Sequence, residues 1–279
     1  MIAIDGAIVA DADATISVLD RGFLYGDGLF EVLRTWRGIA VDLEAHLDRL
    51  AGSAALLELA IDRAAIAQTV NALLSHTTGD QRLRIVVTRG QGGPEMRFAA
   101  GTGGHTIIYA EALLASPREA SAAFVDYPLA RRAAQGHKTL AYLDHLIAKE
   151  LAAAAGADEA IRLGPDGDVA EGATSNLFIV NGDLFTPPLR GVLPGVTRGH
   201  LLVCCEELGL VVTERRLTVE EFRGASEIFT TSAVRGVVAI TRLDGVVRSS
   251  GLGLVTQKLA AAYAARMTRA SMGFSRDGS

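Results

Sequence analysis

The stretch Gly136-His-Lys-Thr-Leu-Ala-Tyr-Leu-Asp-His145 decides how the rest of the chain is interpreted. Its lysine, Lys138, precedes apolar residues at helical spacing, which predicts that the lysine lies in a loop at a helix start. The chain has three lysines, and the other two, Lys149 and Lys258, lie in patterns that predict solvent exposure. Chemistry that needs a lysine amine therefore has one strong candidate, although an ordinary loop lysine is the simpler interpretation of Lys138 taken alone.

Composition restricts the class of protein. With 279 residues, 49% of them apolar and 5% aromatic, the chain can build one large or two modest domains of an α/β or α+β enzyme. A net charge of -5 gives no electrostatic case for nucleic acid or an anionic membrane. The absence of a long apolar run or a basic leader predicts a cytoplasmic protein. Adjacent Cys204 and Cys205 indicate buried thiols, and the histidines lack metal-ligand spacing.

Periodicity predicts the main elements. Residues 30–36 and 82–88 alternate as strands, whereas 43–57, 66–74 and 197–208 have helical spacing. Two hairpins are expected, one pairing 160–163 with 169–171 and one pairing 177–180 with 184–186. The pattern dissolves between about 113 and 134, which predicts a small domain over 1–115, an interdomain loop over 116–130 and a large domain over 131–279.

Several ordered motifs carry a resemblance. Lys138-Thr-Leu-Ala-Tyr-Leu143, Gly167-Asp-Val-Ala-Glu-Gly-Ala-Thr-Ser-Asn-Leu-Phe178 and Gly191-Val-Leu-Pro-Gly-Val-Thr-Arg198 together resemble the fold-type IV pyridoxal-phosphate enzymes. These are the class IV aminotransferases, which include branched-chain and D-amino-acid aminotransferases, (R)-amine transaminases and aminodeoxychorismate lyase. The resemblance starts at Leu19-Asp-Arg-Gly-Phe-Leu-Tyr-Gly-Asp-Gly-Leu-Phe-Glu31 and covers nearly the whole chain.

The resemblance implies an α/β (α+β) fold with a small α/β domain and a larger pseudo-barrel domain that holds pyridoxal 5'-phosphate. It also implies a homodimer in which a loop of one subunit covers the other's site. Lys138 matches the catalytic lysine, which forms the Schiff base and then moves the proton, as nucleophile and general base. Glu171 matches the carboxylate that keeps the cofactor's ring nitrogen protonated.

The cofactor's phosphate needs fixed donors. A helix that starts near Val196 and Thr197 offers free N–H groups and a favourable dipole, and a simple Thr N-cap is a compatible alternative. By resemblance, Arg49 also binds the phosphate, and Ser232 and Ala233 belong to the segment that closes around it. Leu193 matches the residue against the cofactor ring, and Tyr142 matches one that reaches the phenolic oxygen.

The substrate is less well defined. Phe30, Glu31, Leu33 and Thr35 are expected to line the pocket, and five arginines are candidates for binding a substrate carboxylate: Arg34, Arg89, Arg97, Arg131 and Arg132. We expect a transaminase acting between an amino acid or amine and a 2-oxo acid. A lyase that releases pyruvate and 4-aminobenzoate from aminodeoxychorismate uses the same lysine and stays open, as does a cofactor-binding regulatory or scaffold protein with degenerate catalysis.

Overall fold

The computed structural model describes residues 1–92, 95, 97–98, 101–129 and 134–274. The chain divides into two compact units. Unit 1 comprises Met1–Leu114, His137–Tyr142 and Met267–Ser279, and unit 2 comprises Ala115–Gly136 and Leu143–Arg266. The Lys138 segment thus groups with the N-terminal residues.

Unit 1 is a mixed α/β structure. A 3-10 helix spans Asp11–Asp13, and the described part of Met1–Leu114 also holds these elements: β1 (Ile2–Ile4), β2 (Ala7–Val9), α1 (Arg21–Tyr25), β3 (Gly28–Trp36), β4 (Ile39–Ala40), α2 (Leu43–Leu56), α3 (Arg63–Leu74), β5 (Gln81–Thr88), β6 (Gln91–Gly92), β7 (Gly101–Thr102) and β8 (Thr106–Ala112). Six strands form one sheet in the order β2-β1-β8-β5-β3-β4, and β6 pairs with β7.

The register of the six-stranded sheet separates its two faces. Phe30 lies opposite Val86, Val32 opposite Arg84, and Arg84 opposite Tyr109. Because side chains alternate along a strand, these residues share one face, here called the lysine face. It consists of Phe30, Val32, Arg84, Val86, Ile107 and Tyr109. The opposite, helix-covered face carries Leu29, Glu31, Leu33, Thr35, Leu83, Ile85 and Ile108.

Helices α2 and α3 pack on the helix-covered face and form the core of unit 1. Leu47 and Leu50 of α2 contact a cluster that includes Leu29 and Leu33 of β3. Fully burying each such side chain contributes about 2 kcal/mol. Helix α3 begins at an N-cap, Asp62, whose carboxylate accepts the N–H of Ala65. The helices hold β3 and β5 in place and so fix the positions of the residues on the lysine face.

Unit 2 contains the second sheet. Its elements are β9 (Glu119–Phe124), α4 (Leu143–Ala154), β10 (Glu159–Leu163), β11 (Val169–Gly172), β12 (Asn176–Asn181), β13 (Asp183–Thr186), α5 (Val196–Glu207), β14 (Val212–Glu214), α6 (Val219–Gly224), β15 (Glu227–Ser232), β16 (Gly236–Leu243), β17 (Val246–Val247) and α7, whose span Leu254–Phe274 continues past Arg266 into unit 1. The strand order is β11-β10-β9-β16-β15-β12-β13-β14, with β17 on β16. Both predicted hairpins are confirmed, as β10 pairs with β11 and β12 with β13.

Two sequence predictions differ from the structure. Strand β9 lies within residues 116–130, where a loop is expected; its alternating alanines, Ala120 and Ala122, are buried but too small to give a clear apolar signal. The predicted helical stripe after Lys138 is also wrong. Helix α4 begins only at Leu143, which is 66% exposed, and α4 buries Ala148 and Ala152 instead.

Other features of the described residues concern membranes, metals and thiols. None of the described helices combines the length and apolar character needed to span a bilayer. Histidine, cysteine and acidic side chains in the described ranges form no group of three or more that could hold a metal. Cys204 and Cys205 are buried free thiols, as predicted, and burial raises the pKa of Cys205 to about 12.

Candidate active site

The backbone around Lys138 is held by the start of β3. The carbonyl oxygen of Lys138 accepts the N–H of Phe30 at 2.9 Å, and the N–H of Leu140 donates to the carbonyl oxygen of Gly28 at 3.0 Å. This approach requires glycine, since a Cβ at Gly28 would collide with the carbonyl oxygen of Val87 and the side chain of Leu140. Lys138 therefore lies in an extended segment bound to a strand, rather than at a helix start.

The amine of Lys138 lies among aromatic rings. Its Nζ is 4.4 Å from the ring centroid of Phe30 and 5.2 Å from that of Tyr142. The two rings meet edge to face, with centroids 5.0 Å apart. Sequence reasoning placed Lys138, Phe30 and Tyr142 in the site separately, and the structure brings them together. An amine over aromatic faces is partly desolvated, which suits a lysine that must react as a nucleophile.

Arg84 joins this group, and sequence reasoning missed it. Its guanidinium carbon is 4.4 Å from the centroid of the Phe30 ring. Burial, followed by the nearby charge of Arg82, lowers the pKa of Arg84. Within the described ranges, neither a hydrogen bond nor an ion pair engages this guanidinium. The available signal in the sequence was an arginine two residues before Val86, on the same face of a strand that becomes buried on both faces toward its end.

Arg49 belongs to a buried ionic network on the helix-covered face. Its Nε donates to Oε1 of Glu31 at 2.8 Å and its Nη2 to Oε2 at 2.5 Å, while Nδ1 of His46 lies 2.8 Å from Oε2. Burial alone would raise the pKa of Glu31, but the hydrogen bonds and positive charges of Arg49 and His46 outweigh burial and lower it to about 2. Glu31 is therefore ionised at neutral pH.

Two predicted substrate residues have other roles. Thr35 is fully buried on the helix-covered face, where its hydroxyl donates to Asp80 and accepts the N–H of Gln81, so alternation turns it away from Phe30. The expectation that Glu31 and Leu33 line the pocket beside Phe30 is wrong for the same reason. Arg89 is 5% exposed, and its donors bind Asp27 and the carbonyl oxygens of Leu57 and Glu58. It holds a loop rather than a substrate.

The remaining candidate arginines receive little support. Arg34 donates to the carbonyl oxygen of Thr35 and lies over the Trp36 ring. Arg97 is exposed. Arg131 and Arg132 lie outside the described residues. The structure therefore offers Arg84 as the best-placed arginine in contact with the Lys138 cluster.

Glu171 lies one residue before the end of β11 in unit 2 and is 7% exposed. Its Oε2 accepts the N–H of Leu193 at 3.1 Å, which links two residues that the sequence assigns to the cofactor ring. The turn after Glu171 is held by another buried carboxylate, Glu159, which accepts the N–H of Ala173 and the hydroxyls of Thr174 and Ser175. Glu171 is thus oriented by the Leu193 N–H and by the turn that follows it in the sequence.

The N-terminus of α5 has the properties of an anion site. Its N-cap is Gly195, which provides no side-chain cap, so Thr197 lies inside the first turn and is not the N-cap. The first-turn N–H groups, including those of Val196 and Thr197, have no partner within an α-helix. They point outward with the positive end of the helix dipole, which favours a bound anion.

A buried hydroxyl lies beside this helix start. Thr231 is 2% exposed, and its Oγ1 has no hydrogen-bond partner among the described residues. Thr231 lies opposite Asn176, and the Asn176 side chain donates to the carbonyl oxygen of Leu193 and packs directly under Gly195. Because paired residues share a face of the sheet, Thr231 faces the same helix start, just before Ser232 and Ala233. A bound phosphate would satisfy such an orphaned donor.

Each unit carries its own candidate groups. Unit 1 has an amine among aromatic rings, and unit 2 has a buried carboxylate and an anion site at a helix N-terminus. A lysine amine against aromatic rings is the kind of group that lysine-dependent enzymes acting on amino or oxo groups require.

Comparison with known proteins agrees with this class. The family model described as amino-transferase class IV matches residues 28–243. A putative branched-chain-amino-acid aminotransferase of Methanocaldococcus jannaschii is 34% identical over 268 residues, which are 92% of each chain. The chain belongs to the class IV aminotransferase family and is an aminotransferase by fold and sequence.

Solved structures extend the similarity. A branched-chain aminotransferase from the archaeon Thermoproteus uzoniensis, solved with norvaline, is 30% identical with a TM-score of 0.87 and covers 95% of this chain and 94% of its own. A 4-amino-4-deoxychorismate lyase from Pseudomonas aeruginosa is 32% identical with a TM-score of 0.83, covering 94% of this chain and 97% of its own. The predicted fold-type IV architecture and family are confirmed, and class IV aminotransferases use pyridoxal phosphate.

Proposed function

We propose that this chain is a pyridoxal-phosphate-dependent transaminase that moves an amino group between an amino acid and a 2-oxo acid. The observation that carries the proposal is the amine of Lys138 against Phe30 and Tyr142. Pyridoxal phosphate supplies the aldehyde that takes the amino group and a ring that accepts electrons. Nζ of Lys138 binds the cofactor covalently and moves the proton at the substrate's α-carbon.

Further residues are assigned to the ring and the phosphate of this cofactor. Glu171 is assigned to keep the ring nitrogen protonated, since it is buried and already oriented by the Leu193 N–H. Leu193 is assigned to the ring and Tyr142 of unit 1 to its phenolic oxygen. The remaining assignments are to the phosphate: Arg49, Val196, Thr197, Ser232 and Ala233. The uncapped start of α5 and the orphaned hydroxyl of Thr231 support the phosphate site.

Arg84 supports an amino acid rather than a simple amine as the donor. A half-buried guanidinium without an ionic partner in the described part of the chain is suited to bind a carboxylate. It shares the Phe30 ring with the Lys138 amine, so one aromatic side chain contacts both cations. We assign Phe30 and Arg84 to substrate binding, for the apolar part and a carboxylate respectively.

The direct test is the visible spectrum of the purified, cofactor-loaded protein during single additions of D-alanine, L-leucine, L-glutamate and (R)-1-phenylethylamine, without any keto acid. Transamination predicts that at least one amino acid bleaches the cofactor band, and that a 2-oxo acid then restores it. A bound cofactor that no amino acid bleaches would contradict the proposal. The donor that reacts identifies the stereochemistry.

A lyase is the second candidate, because the similarity to the aminodeoxychorismate lyase structure is as extensive as that to the aminotransferases. Both activities use the same lysine and differ in the bond that breaks. Release of pyruvate from aminodeoxychorismate, without consumption of a 2-oxo acid, would identify the lyase.

We also propose a cytoplasmic homodimer. Residues on and before α1 form an exposed apolar surface that a second subunit would cover: Val18, Leu19, Phe23, Leu24 and Tyr25. The buried free thiols are consistent with a reducing compartment. Light scattering at micromolar concentration tests the assembly, and a monomeric mass would contradict it.

A further inference from the structure

Glu31 is the one carboxylate among the apolar residues that β3 places on the helix-covered face. It is 1% exposed and stands between Leu29 and Leu33, which are both fully buried. Its two oxygens accept three donors, two from Arg49 and one from His46. Desolvating a carboxylate at such a position costs several kcal/mol, and only complete pairing with buried donors offsets that cost. The role of Glu31 is therefore to be sought in the residues that it pairs with.

The pairing constrains Arg49 more strongly than an ordinary ion pair. Nε and Nη2 form one edge of the planar guanidinium, and both bind the same carboxylate, so the plane of the group and the direction of its other edge are set. His46 binds Glu31 at Oε2 and braces the carboxylate. The arginine side chain is 12% exposed and lies on α2, whose packing on the sheet fixes its backbone.

We propose that Glu31 is a positioning residue that holds the Arg49 guanidinium ready to bind the phosphate of the cofactor. The inference rests on the proposed function, which assigns Arg49 to that phosphate. A free arginine side chain loses rotamer entropy when it binds an anion, whereas Arg49 has already lost it on folding. Glu31 thus strengthens phosphate binding although its own charge is negative.

Considered only as a charge, Glu31 is expected to weaken phosphate binding rather than to strengthen it. If Glu31 acted only through its charge, its removal would free the positive charge of Arg49 and tighten phosphate binding. If it acts by positioning, its removal weakens phosphate binding and leaves binding of the phosphate-free cofactor unchanged. Comparing the Kd values of pyridoxal and pyridoxal phosphate therefore distinguishes the charge effect from the positioning effect.

The experiment titrates the cofactor-stripped full chain with pyridoxal phosphate and with pyridoxal, following the visible band. We expect Glu31→Gln to raise the Kd of pyridoxal phosphate about tenfold, while the Kd of pyridoxal changes less than about twofold. Glu31→Asp keeps the charge but shortens the side chain, and it should also raise the Kd of pyridoxal phosphate. The matched control is Glu44→Gln on the same helix as Arg49, where an exposed carboxylate pairs with Arg63.

Three outcomes would overturn the inference. The first is unchanged or tighter binding of pyridoxal phosphate by the Glu31 variants. The second is an equal loss of affinity for both cofactors, which indicates a purely structural role, and the third is the same loss of affinity in Glu44→Gln. Because Glu31→Asp retains a charged partner for Arg49, it keeps the test available if Glu31→Gln fails to fold. If the wild-type chain itself shows no preference for pyridoxal phosphate over pyridoxal and no covalent cofactor, the proposed function fails instead.

Discussion

The two faces of the six-stranded sheet in unit 1 use the same strands for different purposes. On the helix-covered face, Leu29 and Leu33 are fully buried, and the one carboxylate between them, Glu31, is fully paired. On the lysine face, one residue away along β3, Phe30 contacts the amine of Lys138 and the guanidinium of Arg84. One face holds a carboxylate that is paired within the fold, and the other places an amine and a guanidinium against one aromatic ring.

This difference separates stability from chemistry. A buried group whose partners are all supplied by the protein rigidifies the fold, whereas a half-buried cation without an ionic partner in the described chain is a binding feature that a ligand completes. We therefore expect substitutions of the apolar residues on the helix-covered face to change stability and substitutions of the cations at the lysine face to change turnover, whereas Glu31 should affect both stability and, through Arg49, cofactor binding.

The largest effect should come from Lys138→Ala. Loss of the amine removes both the covalent attachment and the proton transfer, so turnover should fall by about 10⁴-fold or more with the circular dichroism spectrum unchanged. Lys258→Ala, at an exposed position, serves as the control. Substantial turnover by the Lys138 variant would remove this residue from the mechanism.

Leu33→Ala on the helix-covered face should act on stability. Removing a fully buried leucine should lower the free energy of unfolding by about 2–5 kcal/mol, measured by urea denaturation, with turnover of the folded protein retained. The adjacent Val32→Ala on the lysine face is only partly buried and should cost about 1 kcal/mol. Equal costs at the two positions would break the distinction between the faces.

The stability contributed by Glu31 should depend on pH. Its pKa falls from 4.5 to about 2 on folding, which corresponds to about 3 kcal/mol. Because the folded pKa is lowered, this stabilisation is fully present above pH 4.5 and is lost as pH falls toward 2. Urea unfolding of wild type and Glu31→Gln should differ most near neutral pH and converge as the pH falls below 4.5. A gap that persists unchanged at about pH 3 would contradict this assignment.

The smallest effect should come from Arg84→Met, and it should be confined to substrates that carry a carboxylate. Arg84→Met should lower kcat/KM for amino acids about 10- to 100-fold, because a charge-assisted hydrogen bond to the substrate carboxylate is lost. An amine without a carboxylate should be converted no more slowly than by wild type. Arg82→Met is the control, because the Arg82 side chain is 38% exposed and is already paired with Glu111. Equal losses for both substrate types would show that Arg84 does not bind a carboxylate.

Much of this arrangement follows from local sequence pattern. The hairpins after Lys138 and the helix after Gly195 were predictable because turn residues and apolar spacing are local signals. The partners of Glu31 were not, because His46 and Arg49 reach it from another element. Thr35 was misplaced because the pattern that indicates a strand does not state which face meets the helices. The sequence gives no reason to choose Arg84 over Arg89, because both lie on or directly after the same strand. Only the tertiary contacts distinguish them: Arg89 binds Asp27 and backbone carbonyl oxygens, whereas Arg84 lies over the Phe30 ring.

The most direct test of the reactive amine is to treat the cofactor-loaded wild-type protein with borohydride and to locate the reduced cofactor by peptide mass spectrometry. The chain contains only three lysines, so the assignment is unambiguous. We predict that the added mass lies on the peptide that contains Lys138 and that the peptides with Lys149 and Lys258 are unmodified. Modification of either other lysine, or of none, would contradict the claim that the lysine face holds the reactive amine.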